Sequence, residues 1–233
     1  MFRITITYRN EPGATFNWDY YMKNHLPLAV GTSMRHSGLN FCDADKPVND
    51  DAPYKCVCMV HFDSEQSMRN FCDFFLTEHP ESKKIDNDEN NYTNVAPEMV
   101  VSQCETDNEA NKGNYRLKLF FPRQQHQQTL AKVPEEELRK LLDDNASVTG
   151  PLTTELDNCH SGLESDSLPD YWFIWVLCFS TREEAEKFAS HLSEDKNRRA
   201  LKQITGVDFE LMTSEIMSFD MSLTEPHRVL ADD

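Results

Sequence analysis

The chain has 233 residues, of which 39% are hydrophobic and 10% aromatic, enough to bury one large core or two small ones and too apolar for a disordered polymer. Its formal net charge of -17, with no basic stretch to offset it, argues against nucleic acid and anionic membrane surfaces as partners. The amino terminus opens at once on an alternating pattern, no apolar run approaches the ~20 residues of a membrane helix, and the seven cysteines are expected as reduced thiols, so a cytoplasmic protein is expected.

Residues 2–9 alternate strictly, with Ile4, Ile6 and Tyr8 on one face of a strand and Arg3, Thr5, Thr7 and Arg9 on the other. A turn at Pro12-Gly13 leads to Asn17 as N-cap and Asp19 in the first turn of a helix. Trp18, Tyr21, Met22, His25 and Ala29 share one stripe of that helix, and Pro27 should bend or restart it near His25. A weaker strand is expected at Leu39–Cys42, a loop at Asp43–Pro53, and a strand buried on both faces at Tyr54–Phe62. Cys56-x-Cys58 followed by His61 matches no standard zinc spacing, and a strand points His61 away from the two thiols, so no metal is expected. Asp63-Ser64 supplies the cap of a helix running to His79-Pro80, a polar stretch spans 81–94, and Glu98–Cys104 is a last strand.

The order βαββαβ then repeats. A strand at Tyr115–Phe121 precedes an acidic-started helix at Pro134–Asp144 and a further strand at Leu152–Leu156. Tyr171–Phe179 is a strongly apolar strand with Trp172 and Trp175 on opposite faces, and Thr181-x-x-Glu184 is a capping box opening a helix through Leu192. Val207–Phe219 closes the unit as a strand, bulged or broken in two. His61-Phe62-Asp63-Ser64 with Phe71 aligns with Cys178-Phe179-Ser180-Thr181 with Phe188 at one constant offset, the mark of an internal duplication. The expected division is a first domain at 1–106, a linker at 107–114, a second domain at 115–222 and an acidic tail at 223–233.

The fold class is therefore α+β: tandem ferredoxin-like (βαββαβ) repeats, each a four-stranded antiparallel sheet with its helices on one face. Two bare sheet faces bury each other by pairing within the chain as an intramolecular pseudo-dimer, or across a homodimer. A pocket for a small apolar ligand is expected inside such a barrel or between the sheet and its first helix.

The first half resembles the EthD family of dimeric α+β barrel proteins through four segments in order. These are Thr7-Tyr8-Arg9-Asn10; Phe16-x-Trp18-Asp19-Tyr20-Tyr21-x-x-x-His25-Leu26-Pro27-Leu28; Val60-x-Phe62-Asp63-Ser64; and Asp88-x-x-Asn91-Tyr92-Thr93-Asn94-x-x-Pro97. The second half shares only element order and the strand–helix junction, and lacks the Asp-Tyr-Tyr…His-x-Pro segment. The resemblance implies breakdown or tailoring of small organic molecules. Its wider superfamily includes isomerases, cofactor-free quinone-forming monooxygenases, decarboxylase-like or dehydratase-like enzymes and haem-binding barrels.

His25 is the first candidate catalytic residue, since an imidazole beside a proline break gives and takes protons near neutral pH. Tyr8 and Tyr92 join it, because a phenol offers donor and acceptor on an apolar body. Candidate substrate-binding residues are Tyr21, Trp18, Asp19, Asn91 and Thr93. For Trp18, packing against the sheet is the competing role, for Asp19 a helix N-terminal charge, and for Asn91 and Thr93 the organisation of a turn. The expected function is a cofactor-independent lyase, isomerase or monooxygenase acting on a small apolar oxygenated molecule. A non-catalytic binding or stress-related barrel is the alternative. Haem on His25 is the alternative cofactor, weakened by the lack of a second haem-directed motif.

Overall fold

The computed structural model describes residues 1–77, 79–106, 113–123, 133–144, 150–160 and 171–219. Most of the expected linker at 107–114 and all of the acidic tail at 223–233 lie outside these residues. Eight antiparallel strands close a single barrel in the order β1-β3-β2-β8-β5-β7-β6-β4. They are β1 (Phe2–Arg9), β2 (Phe41–Pro47), β3 (Tyr54–Phe62), β4 (Glu98–Thr106), β5 (Tyr115–Pro122), β6 (Thr153–His160), β7 (Tyr171–Phe179) and β8 (Glu210–Ser218). The first four run β4-β1-β3-β2 and the last four β8-β5-β7-β6; β2 pairs with β8 and β4 with β6, so neither sheet keeps a free edge.

The helices are α1 (Trp18–Tyr20), α2 (Leu26–Ser37), α3 (Glu65–Leu76), α4 (Pro80–Asp88), α5 (Glu135–Asp144), α6 (Arg182–Ser193) and α7 (Asp195–Thr205). Among the described residues none is long and apolar enough to cross a membrane. Pro27 lacks an N–H and crowds the carbonyl four residues back, and the backbone answers with a π turn at Tyr21–His25 in which the Leu26 N–H reaches the Tyr21 carbonyl. The helix therefore widens at His25 and continues, where a bend or restart was expected, and it runs on to a left-handed Gly38 (φ 67°). The polar stretch after Pro80 contains the helix α4, opened by His79 as N-cap with Pro80 in its first turn. The segment after Leu192 similarly contains α7, and β8 runs unbroken.

The barrel interior departs most from expectation. Beside an apolar cluster that includes Val57, Val100, Phe120, Ile174, Val176 and Met212, its walls carry buried charges: Arg3 donates to both Asp157 oxygens (2.8 and 2.7 Å) and to Glu155 (2.5 Å). Arg116 is bonded to Asp43 and Asp45, Lys118 to Asp45, and His61 Nε2 lies 3.5 Å from Asp43. All these groups are buried. Each arginine reaches carboxylates of the opposite half, so the interior is an ionic lock between the two sheets. Burial, reinforced by the Arg3 charge, pushes the His61 imidazole down to about 4. Burial also pushes the Lys118 ammonium down to about 7, against the pull of Asp43. The residues read as a loop from Asp43 onward are a strand because Asp43 and Asp45 point into this lock.

One residue is bulged where Tyr8 and Arg9 of β1 pair with Cys56 and Tyr54, and another where Phe121 and Pro122 of β5 pair with Phe173 and Tyr171. The bulges turn Tyr54 and Tyr171 inward, where their hydroxyls touch. The second bulge also places Trp172 in the same apolar cluster as Trp175, not on the opposite face as strict alternation requires.

Candidate functional site

Between the first-half sheet and its helices lies a cavity of about 110 Å³. Ile6, Cys42, Cys58 and Val60 form its sheet side, and Leu26, Ala29 and Val30 of α2 lie across from them. Phe71 and Phe75 of α3 and Ile85 of α4 complete the apolar wall. Its polar lining is Tyr8, Tyr21, His25, Ser33, Asp86 and Glu89.

Four elements converge to set the geometry there. The π turn delivers His25, the last-but-one residue of β1 is Tyr8, α4 ends on Asp88, and a single 3-10 turn (Glu89–Asn91) brings Tyr92 back to Tyr8. A one-residue bridge between Phe16 and Thr93 ties that turn to the start of the first helix. His25 Nδ1 lies 3.0 Å from Asp88 Oδ2, Tyr92 Oη lies 3.3 Å from His25 Nε2, and Tyr8 Oη lies 2.9 Å from Tyr92 Oη. The Tyr21 ring stacks on the His25 ring at 5.3 Å and 18°. Tyr20 Oη (2.7 Å) and Asn91 Nδ2 (2.9 Å) donate to the other Asp88 oxygen.

Burial pushes the Asp88 carboxyl up, but the hydrogen bonds from Tyr20, Asn91 and His25 outweigh it and hold the group below its ordinary range. Burial in turn lowers His25, against the hydrogen bond and charge of Asp88. A neutral His25 donating from Nδ1 to an ionised Asp88 leaves Nε2 as acceptor, which orients the line Tyr8 to Tyr92 to His25 to Asp88. Tyr8 is held well above the phenol range by burial and then by Tyr92. Glu89 is pushed up to about 7, by burial and then by the Asp86 and Asp88 charges. The site thus carries a neutral base and a carboxyl that titrates near neutrality on one apolar cavity.

The candidate residues divide. The structure brings His25, Tyr8, Tyr92 and Tyr21 together: His25, Tyr8 and Tyr21 line the cavity, and Tyr92 joins them by its hydrogen bonds without lining it. Asn91 bonds Asp88 and does not line the cavity, and the Thr93 hydroxyl is spent on the Thr15 carbonyl (3.0 Å) and the Val95 N–H (3.1 Å). Trp18 packs on Phe16 (5.0 Å) and Tyr21 (6.0 Å) outside the cavity. Asp19 is exposed and paired with Lys23 at 2.5 Å. Asp86, Asp88 and Glu89 were missed as site residues because the stretch from Glu81 read as a polar loop. The signal was His79-Pro80, a cap and a first-turn proline, which puts Ile85, Asp88 and Glu89 on one helical face.

No family model matches the chain, and no curated protein does. Its fold is shared with solved structures. An anthrone oxidase-like protein matches with TM-score 0.59 at 11% identity, over 93% of this chain and 91% of the other. A chlorite dismutase-like protein matches with TM-score 0.51 at 7% identity, over 96% and 97%. An EthD-like protein from Ralstonia eutropha matches with TM-score 0.36 at 21% identity, over 44% and 89%. What these likenesses show is a shared fold, a closed barrel of antiparallel strands with helices outside it. They do not single out the EthD family.

The expectation of a cofactor-free protein is withdrawn on this finding, because chlorite dismutase-like barrels are haem-dependent. The first-half cavity itself does not fit a haem. At about 110 Å³ it is smaller than the roughly 150 Å³ that holds one benzene ring, and both His25 nitrogens already have partners.

Proposed function

We propose that the chain is an enzyme of proton transfer, acting on a small apolar molecule that carries a hydroxyl or carbonyl, with His25 as the acid/base. The observation that carries this reading is the oriented line Asp88–His25–Tyr92–Tyr8, of which His25 and Tyr8 line an apolar cavity. Asp88 fixes the His25 tautomer and steadies the imidazolium that forms when His25 takes a proton. The longest link, 3.3 Å between Tyr92 and His25, is the one a substrate oxygen would replace. Tyr92, with Tyr8 donating to it, then supplies a hydrogen bond to the oxygen as it gains charge. Tyr21 holds the imidazole plane, and His25 returns to the substrate the proton it took, which leaves the imidazole neutral for the next turnover. At about 110 Å³ the volume suits a short chain of a few carbons. A short-chain enolisable ketone has the required acidity and size.

The second half serves in this reading as a built-in partner, a duplicated ferredoxin-like unit. In support, the same number of positions separates Tyr54 from Tyr171 as separates His61 from Cys178, and both tyrosines sit at matching bulges. Light scattering tests whether a homodimer forms on top of this arrangement. A second reading, a barrel that binds without chemistry, draws on the burial of all three central side chains, His25, Tyr8 and Tyr92.

Native mass spectrometry of the purified chain identifies a retained ligand, and His25→Ala then separates the readings. The enzyme reading expects turnover to fall roughly 10²–10⁴-fold with circular dichroism unchanged. Full turnover in that variant, or unchanged ligand affinity with no product from the wild type, would sink it.

A further inference from the structure

We propose a divalent metal-ion site at the junction of α2 and α4, formed by His36, His79 and Glu81 and suited to zinc. A ligand atom from each of the three lies within 4.8 Å of the other two. His36 stands in the last turn of α2, His79 caps α4, and Glu81 lies in the first turn of α4, so the set spans two helices. Two imidazoles and one carboxylate are a known zinc donor set that leaves a coordination position for water. Imidazole donors also disfavour magnesium and calcium, which take oxygen ligands. Cys56, Cys58 and His61, the grouping visible in the sequence, are not part of it.

The donors are partly pre-organised. Phe74, itself buried, stacks on the His36 ring at 4.7 Å and 12° and lies 5.1 Å from the His79 ring, and the two imidazoles are 4.8 Å apart. Glu81 Oε2 lies 2.6 Å from His36 Nε2 and Oε1 lies 3.1 Å from Arg35, and these contacts keep the carboxylate ionised below its ordinary range. Binding has two local costs. The His36–Glu81 bond gives way to metal ligation. Coordination through His79 Nε2 moves the ring proton to Nδ1, which ends the 3.2 Å capping bond from the Glu81 N–H. The site is therefore weaker than a closed structural zinc site. Since α2 and α4 both line the cavity, a bound ion fixes the distance between two of its walls. None of this depends on the chemistry assigned to His25.

The same three side chains also serve as a plain hydrogen-bonded junction, so the experiment must separate the two roles. Zinc is titrated calorimetrically into the chelator-treated full chain, with magnesium as the control ion and thermal midpoints recorded alongside. One equivalent of zinc should bind, raise the midpoint, and bind at least tenfold more weakly in His36→Ala and in His79→Asn. Asparagine keeps the cap while removing the imidazole, so a folded variant is retained. Unchanged zinc affinity in both variants, equal binding of magnesium, or no zinc binding at all would overturn the proposal.

Discussion

On the helix side of the barrel the two halves differ at positions that their strand registers match. Tyr8 pairs with Cys56 and Ile6 with Cys58, whereas Phe121 pairs with Phe173 and Leu119 with Trp175. Two thiols in the first half stand where two large aromatics stand in the second. The first half keeps a cavity beside Cys58, and the second packs Phe121, Phe173, Trp175, Phe179 and Phe188 into one apolar cluster. Inside the barrel the halves behave alike: Arg3 reaches Glu155 and Asp157, and Arg116 reaches Asp43 and Asp45. The difference teaches that closure of the barrel constrains both halves equally, while the layer under the helices is free to hold either a site or a plug.

The alike interior sets the largest prediction. Arg3→Ala removes the guanidinium from the buried Asp157 and Glu155, and Arg116→Ala removes it from the buried Asp43 while Asp45 keeps Lys118; each should cost about 3–5 kcal/mol of unfolding free energy. Urea titration of both variants measures it. Costs that differ by more than about 2 kcal/mol would mean that the two locks are not equivalent. Next comes the unlike layer. Trp175→Ala opens a void in a packed cluster and should cost about 3–5 kcal/mol. Cys58→Ala removes one sulfur at the rim of an existing cavity and should cost about 1 kcal/mol. Equal costs would refute the plug-and-cavity contrast.

The acid range gives a third, smaller test, because His61 stands where the second half has Cys178. His61 is held at about 4 in the folded chain, below its unfolded value near 6.5. Above pH 6.5 the residue is neutral in both states and contributes nothing. As pH falls below 6.5 the unfolded chain takes up the proton first, so stability declines until about pH 4 and is then constant. Over that window the loss amounts to roughly 3 kcal/mol. His61→Cys copies the second half and should flatten this part of the stability–pH curve. An unchanged curve would show that the acid loss arises elsewhere in the lock.

How much of this was legible in the sequence follows from the range of the interactions. The limits of β3 and β7 could be read from apolar runs, and the Thr181 capping box from its spacing, because both signals are local. The strand β2 was cut short because aspartates disfavour strands, and the reason for Asp43 and Asp45 lies at Arg116 and Lys118, far along the chain. The helices α4 and α7 hide behind polar composition: α4 buries only Ser82 and Ile85, and α7 Asn197, Leu201 and Thr205. His25, Tyr8 and Tyr92 could be singled out by residue type. Asp88 could not, because what distinguishes it from the other acids of its segment is the set of three donors that converge on it.

The smallest prediction imports one second-half side chain into the site. Tyr8→Phe places at the end of β1 the residue that β5 carries as Phe121, and it removes only the hydroxyl that donates to Tyr92. The apolar packing is kept, so stability should fall by no more than about 1 kcal/mol. If Tyr8 acts on the reaction through Tyr92, turnover should fall about tenfold, the equivalent of one neutral hydrogen bond in the transition state, with substrate affinity little changed. The same substitution paired with Tyr92→Phe should then cost no more than Tyr92→Phe alone, since the hydroxyl it supports is already gone. Additive losses would place Tyr8 directly on the substrate, and the line of four groups would have to be redrawn as two separate contacts.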